Sequence, residues 1–258
     1  MIGDLAPDEW LALQRAGFLA GPLLAAAALV LVCRPTPREA VGAMVAFLWQ
    51  LPALLLLHLL AVKFHWWSFA GDRNMLAGLP IDVWIGWAVW WGPVAVFANR
   101  WLGIPAIVAG SVLVDMATMP NLAPLVETGP GWIVGDPAAM ALCLAPALWA
   151  ASLTRTDRNP RRRAMFHVLG WGGYLMLVIP VCVLSHVGRP LGDLYHAPNG
   201  ILEGGLFTAG LFLLFIGIAA TAEFARVGNG TPIPFDPPKR VVTSGPYAFM
   251  ANPMQIIC

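Results

Sequence analysis

Two backbone breaks near the end of the chain frame the residues best suited to chemistry. Gly245-Pro246-Tyr247 is a turn, since glycine permits positive φ and proline fixes its own φ near about −65°. Asn252-Pro253 is a second break, because a residue before proline is pushed out of the α region. Between them, 248–251 is left as a short loop or a single helical turn. Backbone amides and carbonyls exposed at such breaks can bind the polar groups of a small ligand. By residue type alone the stretch reads as an ordinary inter-helix loop before it reads as a site. Further candidates lie in the apolar part of the chain, where ionisable groups are costly and call for a reason. Asp82 and Glu203 fall at the ends of apolar runs, where anchoring at the membrane surface explains them. Glu223 stands three residues before Arg226, the spacing of a helical ion pair. Asp115 sits deeper, as a proton carrier, part of a polar pocket, or an interhelical hydrogen bond. Gln50 and His58, a little over two helical turns apart, can share a face and bond to a neighbouring helix. His65, His167, His186 and His196 have no metal-ligand spacing, and the reading includes no metal.

These residues are carried by a membrane composition. Of 258 residues 59% are hydrophobic and only 11% charged, against about a quarter charged in soluble domains. A net charge of +1 gives no case for nucleic acid as a partner. Cys33, Cys143, Cys182 and Cys258 are scattered and read as apolar thiols. The acidic start lacks the basic segment of a cleaved signal peptide. Seven windows reach the length of a membrane span: 16–33, 40–62, 81–99, 101–119, 137–153, 165–184 and 201–225. Proline at 7 with Asp8 and Glu9 places the true start of the first helix earlier. Only Arg100 separates the third and fourth windows, so they form a tight hairpin or one is re-entrant. The fold class is all-α, an integral membrane protein of about seven transmembrane helices. With the N-terminus outside and the C-terminus cytoplasmic, eleven of fifteen basic residues face inward, as the positive-inside rule requires. The polar hinge 154–163 divides the chain into 1–153, about five spans, and 154–258. The tryptophans read mostly as an interfacial belt, although Trp84, Trp87 and Trp91 recur at helical spacing and could line an apolar groove.

The stretch Phe235-Asp236-Pro237-Pro238-Lys239-Arg240, followed by Val242-Thr243-Ser244-Gly245-Pro246-Tyr247 and Asn252-Pro253-Met254, resembles the conserved segment of the isoprenylcysteine carboxyl methyltransferase and phospholipid methyltransferase superfamily. The match covers about the last tenth of the chain. The resemblance implies a membrane-embedded methyltransferase that uses S-adenosylmethionine and acts on a membrane lipid or prenylated carboxylate. It implies cofactor contacts at Gly245, Pro246, Tyr247, Asn252 and Pro253, with Tyr247 and Asn252 nearest the chemistry and Lys239 and Arg240 as anchors for a carboxylate. It places the protein in a bacterial inner membrane. The chain departs from the family at Ala248, Phe249, Ala251, Asn252 and Gln255, where that pattern has arginine, an aromatic, arginine, histidine and tyrosine. The family's distal half would follow Cys258, so the expectation is that 154–258 begins a methyltransferase-like domain completed by further sequence or by a second chain. A weaker resemblance joins Trp66-Trp67-Ser68-Phe69 and Leu79-Pro80-Ile81-Asp82-Val83-Trp84 to lycopene-cyclase-type membrane domains. It implies the alternative of a carotenoid or terpenoid cyclase-like enzyme with Asp82 or Asp115 as acid. The non-enzymatic alternative is a membrane scaffold with a degenerate methyltransferase tail.

Overall fold

Helix signals in the sequence set the framework. The computed structural model describes residues 6–71, 73–190, 192, 200–232, 236–250 and 253, without the side chains of 202, 203, 206 and 207. Helix α1 (Pro7–Cys33) opens on proline with Asp8 and Glu9 in its first turn, as expected. Helix α2 (Pro37–Phe64) opens on a capping box: Glu39 N–H donates to Thr36 Oγ1, and the Glu39 carboxylate accepts from Thr36 N–H at 2.9 Å. Then come α3 (Ile81–Ala98), α4 (Ile104–Asn121), α5 (Trp132–Arg155) and α6 (Pro160–His186). The last long helix is α7 (Ile201–Glu223), prolonged by a wide turn, Phe224–Gly228. Among the described residues seven helices are thus long and apolar enough to cross a membrane, and the chain is an all-α multi-pass membrane protein. The third and fourth windows are two separate helices joined by a short turn. That turn runs through Gly103, at φ 75°, so α4 starts three residues later than the apolar window suggests.

Proline shapes the interior of this bundle. A proline inside a helix has no N–H and leaves the carbonyl four residues back without its partner. In a membrane such a carbonyl must find another donor. Pro146 orphans Leu142, and the Trp49 indole donates to that oxygen at 3.0 Å. Pro52 orphans Leu48, and the Tyr174 hydroxyl donates to it at 2.9 Å. Helices α3, α5 and α6 each widen by one π-type turn, at Trp90–Val94, Met140–Leu144 and Tyr174–Val178, within or just before their prolines. Gln50 is fully buried and its amide N–H₂ bridges two of these widened turns, to the Trp91 oxygen at 3.0 Å and the Cys143 oxygen at 3.2 Å. Its role is the interhelical bond that the sequence suggests.

Three helices hold the core. About half of the apolar windows of α2, α3 and α5 is buried, against 11–17% in the other four. Leu54, Leu55, Leu57, Val83, Leu144 and Leu148 fill the centre. Helix α1 packs on α3 at Gly86, where a Cβ would lie 1.9 Å from the Phe18 carbonyl oxygen, the one orphaned by Pro22. Helix α6 lies against α2 and α5, and α7 reaches the bundle mainly through α6. Trp84 and Trp91 correct the belt reading. Both are buried in the core, and the Trp84 indole donates to the Leu51 oxygen at 3.0 Å, so packing and a main-chain hydrogen bond hold them rather than an interface.

Two small antiparallel ladders, unseen in the sequence, close one end of the bundle. Strand β1 (Trp67–Phe69) and strand β4 (Val126–Thr128) pair with Trp67 opposite Thr128, and β2 (Met75–Leu76) pairs with β3 (Leu79–Pro80). At this end Arg15 Nε lies 2.8 Å from Asp82, and His58 donates from Nε2 to the Ala77 oxygen at 2.9 Å. The opposite end is rich in arginine.

Candidate functional site

The arginine-rich end is organised around two carboxylates. Asp236, 4% exposed, lies 2.9 Å from Arg163 and 3.2 Å from Arg38, and accepts from the Thr231 hydroxyl. Asp157, in the turn between α5 and α6, pairs with Arg163 at 3.0 Å, with Arg38 at 3.2 Å and with Lys239. Arg163 is 1% exposed, which only such pairing allows. The Lys239 hydrogen bond, then Arg38 and Arg163, hold the Asp157 carboxyl below the usual carboxylate range. This cluster ties the segment before the turn motif to α2 and α6. Lys239 is therefore already committed to Asp157.

Beyond it, the motif folds as one turn of 3₁₀ helix, Gly245–Ala248. Gly245 opens the turn at φ 60°, and a Cβ there would come within 2.7 Å of the Glu223 side chain. Pro246 is the second residue of the turn, within the first turn where a missing N–H costs nothing. The Tyr247 ring stacks on Phe224, with centroids 4.8 Å apart. Its hydroxyl has no partner among the described residues, and burial pushes the phenol up to about 12. Pro253 is buried. Asn252, Ala251, Met254, Gln255, Cys258 and His196, and the side chain of Glu203, lie outside the described residues.

Arg240 joins Arg161, Arg162 and Arg226 around a groove of about 650 Å³. Arg226 is held two-pronged by Glu223 at 2.8 Å, the expected i,i+3 pair. Arg162 lies over the Trp149 ring. Among the described residues Arg161 and Arg240 have no carboxylate partner. This basic groove runs into an apolar one of about 430 Å³ between α6 and α7. The two share Arg161, Ala225 and Arg226, and Met165, Leu169 and Ile218 line the apolar part. The arrangement can hold an anionic group at the membrane face with an apolar chain beside it.

A second acidic site lies towards the other end. Asp115 and Asp136 face one cavity of about 10 Å³ with Trp67, Trp87 and Trp91. Asp136 is 4% exposed and its Oδ2 has no partner among the described residues. That space is about that of one water. Asp115 thus belongs to a polar pocket, one of the roles open to it from sequence. Asp82 is taken up by Arg15 and by the Val83 N–H at 2.8 Å.

Sequence reading missed Asp136, the Asp157–Asp236 pair and the burial of Arg163. The run of arginines from 155 to 163 signals a membrane face, but nothing in it marks which arginine turns inward. Among the described residues no three His, Cys, Asp or Glu converge as for a metal. No family model, curated protein or solved structure matches this chain.

Proposed function

We propose that the chain forms part of a membrane-embedded methyltransferase that uses S-adenosylmethionine and acts on a lipid acceptor. The observation that carries this reading is the basic groove lined by Arg161, Arg162, Arg226 and Arg240, continuous with an apolar groove between α6 and α7. A charged water-soluble cofactor and a lipid need these two environments side by side. When bound, S-adenosylmethionine supplies a methyl group already activated by its sulfonium, so the chain's task is placement. Arg240 and Arg161 offer guanidinium forks to a carboxylate. The family resemblance adds Tyr247, whose buried hydroxyl has no partner among the described residues, and the α6–α7 groove admits an acceptor sideways from the bilayer. In this reading the arginine-rich end is cytoplasmic, the N-terminus lies outside, and the membrane is the bacterial inner membrane.

Titration of the full chain in lipid nanodiscs with S-adenosylmethionine tests this. Arg240→Ala should weaken binding about tenfold, or about 1.4 kcal/mol, and Tyr247→Phe should weaken it less. Saturable binding that neither change affects, or no binding at all, refutes the proposal and favours the scaffold alternative.

A further inference from the structure

A separate cavity of about 340 Å³ opens on the other face of α6, between that helix and α2. Leu48, Trp49, Phe166, Trp171 and Tyr174 form its walls, and His167 supplies a polar group. His167 is 5% exposed, and neither of its ring nitrogens has a partner among the described residues. Buried polar groups are nearly always bonded, so an imidazole without a partner in the wall of an open space points to a missing ligand. The space is more than tenfold that needed for one water, which takes about 10–15 Å³.

Two other polar groups of the wall are spent, and the Trp171 indole stands half exposed at the rim. The Trp49 indole is given to Leu142 and the Tyr174 hydroxyl to Leu48, each to a carbonyl left by a proline. No charged residue lines the cavity. The nearest, Arg163, lies one helical turn before His167 and is held by Asp157 and Asp236. A carboxylate or an ammonium here would be buried without a counter-ion, at a cost no wall group offsets. A hydroxyl suits the site, because it donates and accepts and so matches either tautomer of a neutral imidazole. Trp171, half exposed at the rim, leaves a way out for a chain into the bilayer.

We propose that this cavity binds the hydroxyl end of a long-chain alcohol dissolved in the membrane. His167 hydrogen-bonds the hydroxyl, and the aromatic walls hold the first part of the chain. The site is independent of the methyltransferase reading, since the arginine groove lies on the α7 side of α6.

The test is photolabelling of the full chain in nanodiscs with a diazirine-bearing hexadecanol. Labels should map to 45–51 and 166–174, and excess unlabelled alcohol should compete. Competition by farnesol over hexadecanol assigns an isoprenoid chain, and the reverse a saturated one. Palmitate and hexadecylamine should not compete. Gly170 lines the cavity, and its Cβ would meet nothing within 4 Å, so Gly170→Leu fills the space without collision and should abolish labelling. His167→Phe should reduce labelling about tenfold, the worth of one good hydrogen bond at 1.4 kcal/mol, and His167→Gln should retain most of it. If His167→Phe fails to fold by gel filtration, Gly170→Leu and His167→Gln decide. Labelling that survives Gly170→Leu, equal competition by palmitate, or competition by neither alcohol overturns the proposal.

Discussion

Removing the Asp236 carboxylate should unseat the tail from the bundle. Three cations, Arg38, Arg163 and Lys239, surround two carboxylates, Asp157 and Asp236. Asp236→Ala leaves the three cations with one carboxylate. Arg163, 1% exposed, then keeps only Asp157, which is 30% exposed, while Arg38 loses its 3.2 Å partner. Breaking a buried pair by removing one member costs about 3–5 kcal/mol, because a charge stays behind unpaired. Arg163 keeps one partner, so the lower figure of about 3 kcal/mol applies. At about 2–4 °C per kcal/mol for a chain of this size, the melting temperature in detergent should fall by about 6–12 °C. The double variant Asp236→Ala with Arg163→Met removes the stranded charge as well, and should recover most of the loss. Thermal melts of the purified single and double variants provide the assay. The reasoning fails if Asp236→Ala melts like the wild type. It also fails if the double variant is worse than the sum of its singles, since the cluster would then not be a charge balance at all.

Acid should loosen the same cluster. The Asp157 carboxyl is held below its ordinary value of 3.8, so its contribution is complete above that pH and is lost as pH falls through the lower folded value. Melting temperature should therefore drop below about pH 4, with a shallower slope in Asp157→Asn. Tyr174→Phe removes the donor to the Leu48 carbonyl and should cost about 1 kcal/mol. In a Pro52→Ala background, which returns the helical N–H to that oxygen, the same change should cost much less in a double-mutant cycle. Gly86→Ala would press a methyl onto the Phe18 oxygen and should part α1 from α3, giving a loss of more than about 2 kcal/mol by thermal melt.

The helices were legible because hydrophobic run length and proline-led starts are local signals. Pro7 starts a helix where the sequence places it, while the helices at Pro37 and Pro160 begin before the apolar windows of 40–62 and 165–184, because their first turns are polar. The Glu223–Arg226 pair is equally local. Other features depend on contacts far apart in sequence. Trp84 and Trp91 were drawn to the belt reading by residue type, but Gln50 and the carbonyls around the prolines turn that face of α3 inward. Asp236 stands in a polar, proline-rich stretch that reads as exposed. It becomes buried only because Arg38 and Arg163 arrive from 198 and 73 residues away. His167 had no signal of its own, since a single histidine near a helix end is unremarkable until α2 covers it.

One design principle links the core to both candidate sites. A proline in a membrane helix creates an acceptor, and this chain spends the Trp49 indole and the Tyr174 hydroxyl on two such acceptors, while the Trp84 indole and the Gln50 amide bond other main-chain oxygens of the core. Two of the buried polar side chains left over stand on cavity walls. His167 faces the α2–α6 cavity, and Asp136 faces the small pocket it shares with Asp115. The same accounting separates the cations at the arginine-rich end. Arg38, Arg163 and Lys239 are consumed in holding the tail against the bundle, and Arg226 is held by Glu223. Arg161 and Arg240 are what remain for an anionic ligand. It follows that Lys239→Ala should act on stability through Asp157, while Arg240→Ala should act on ligand binding and leave the melting temperature nearly unchanged.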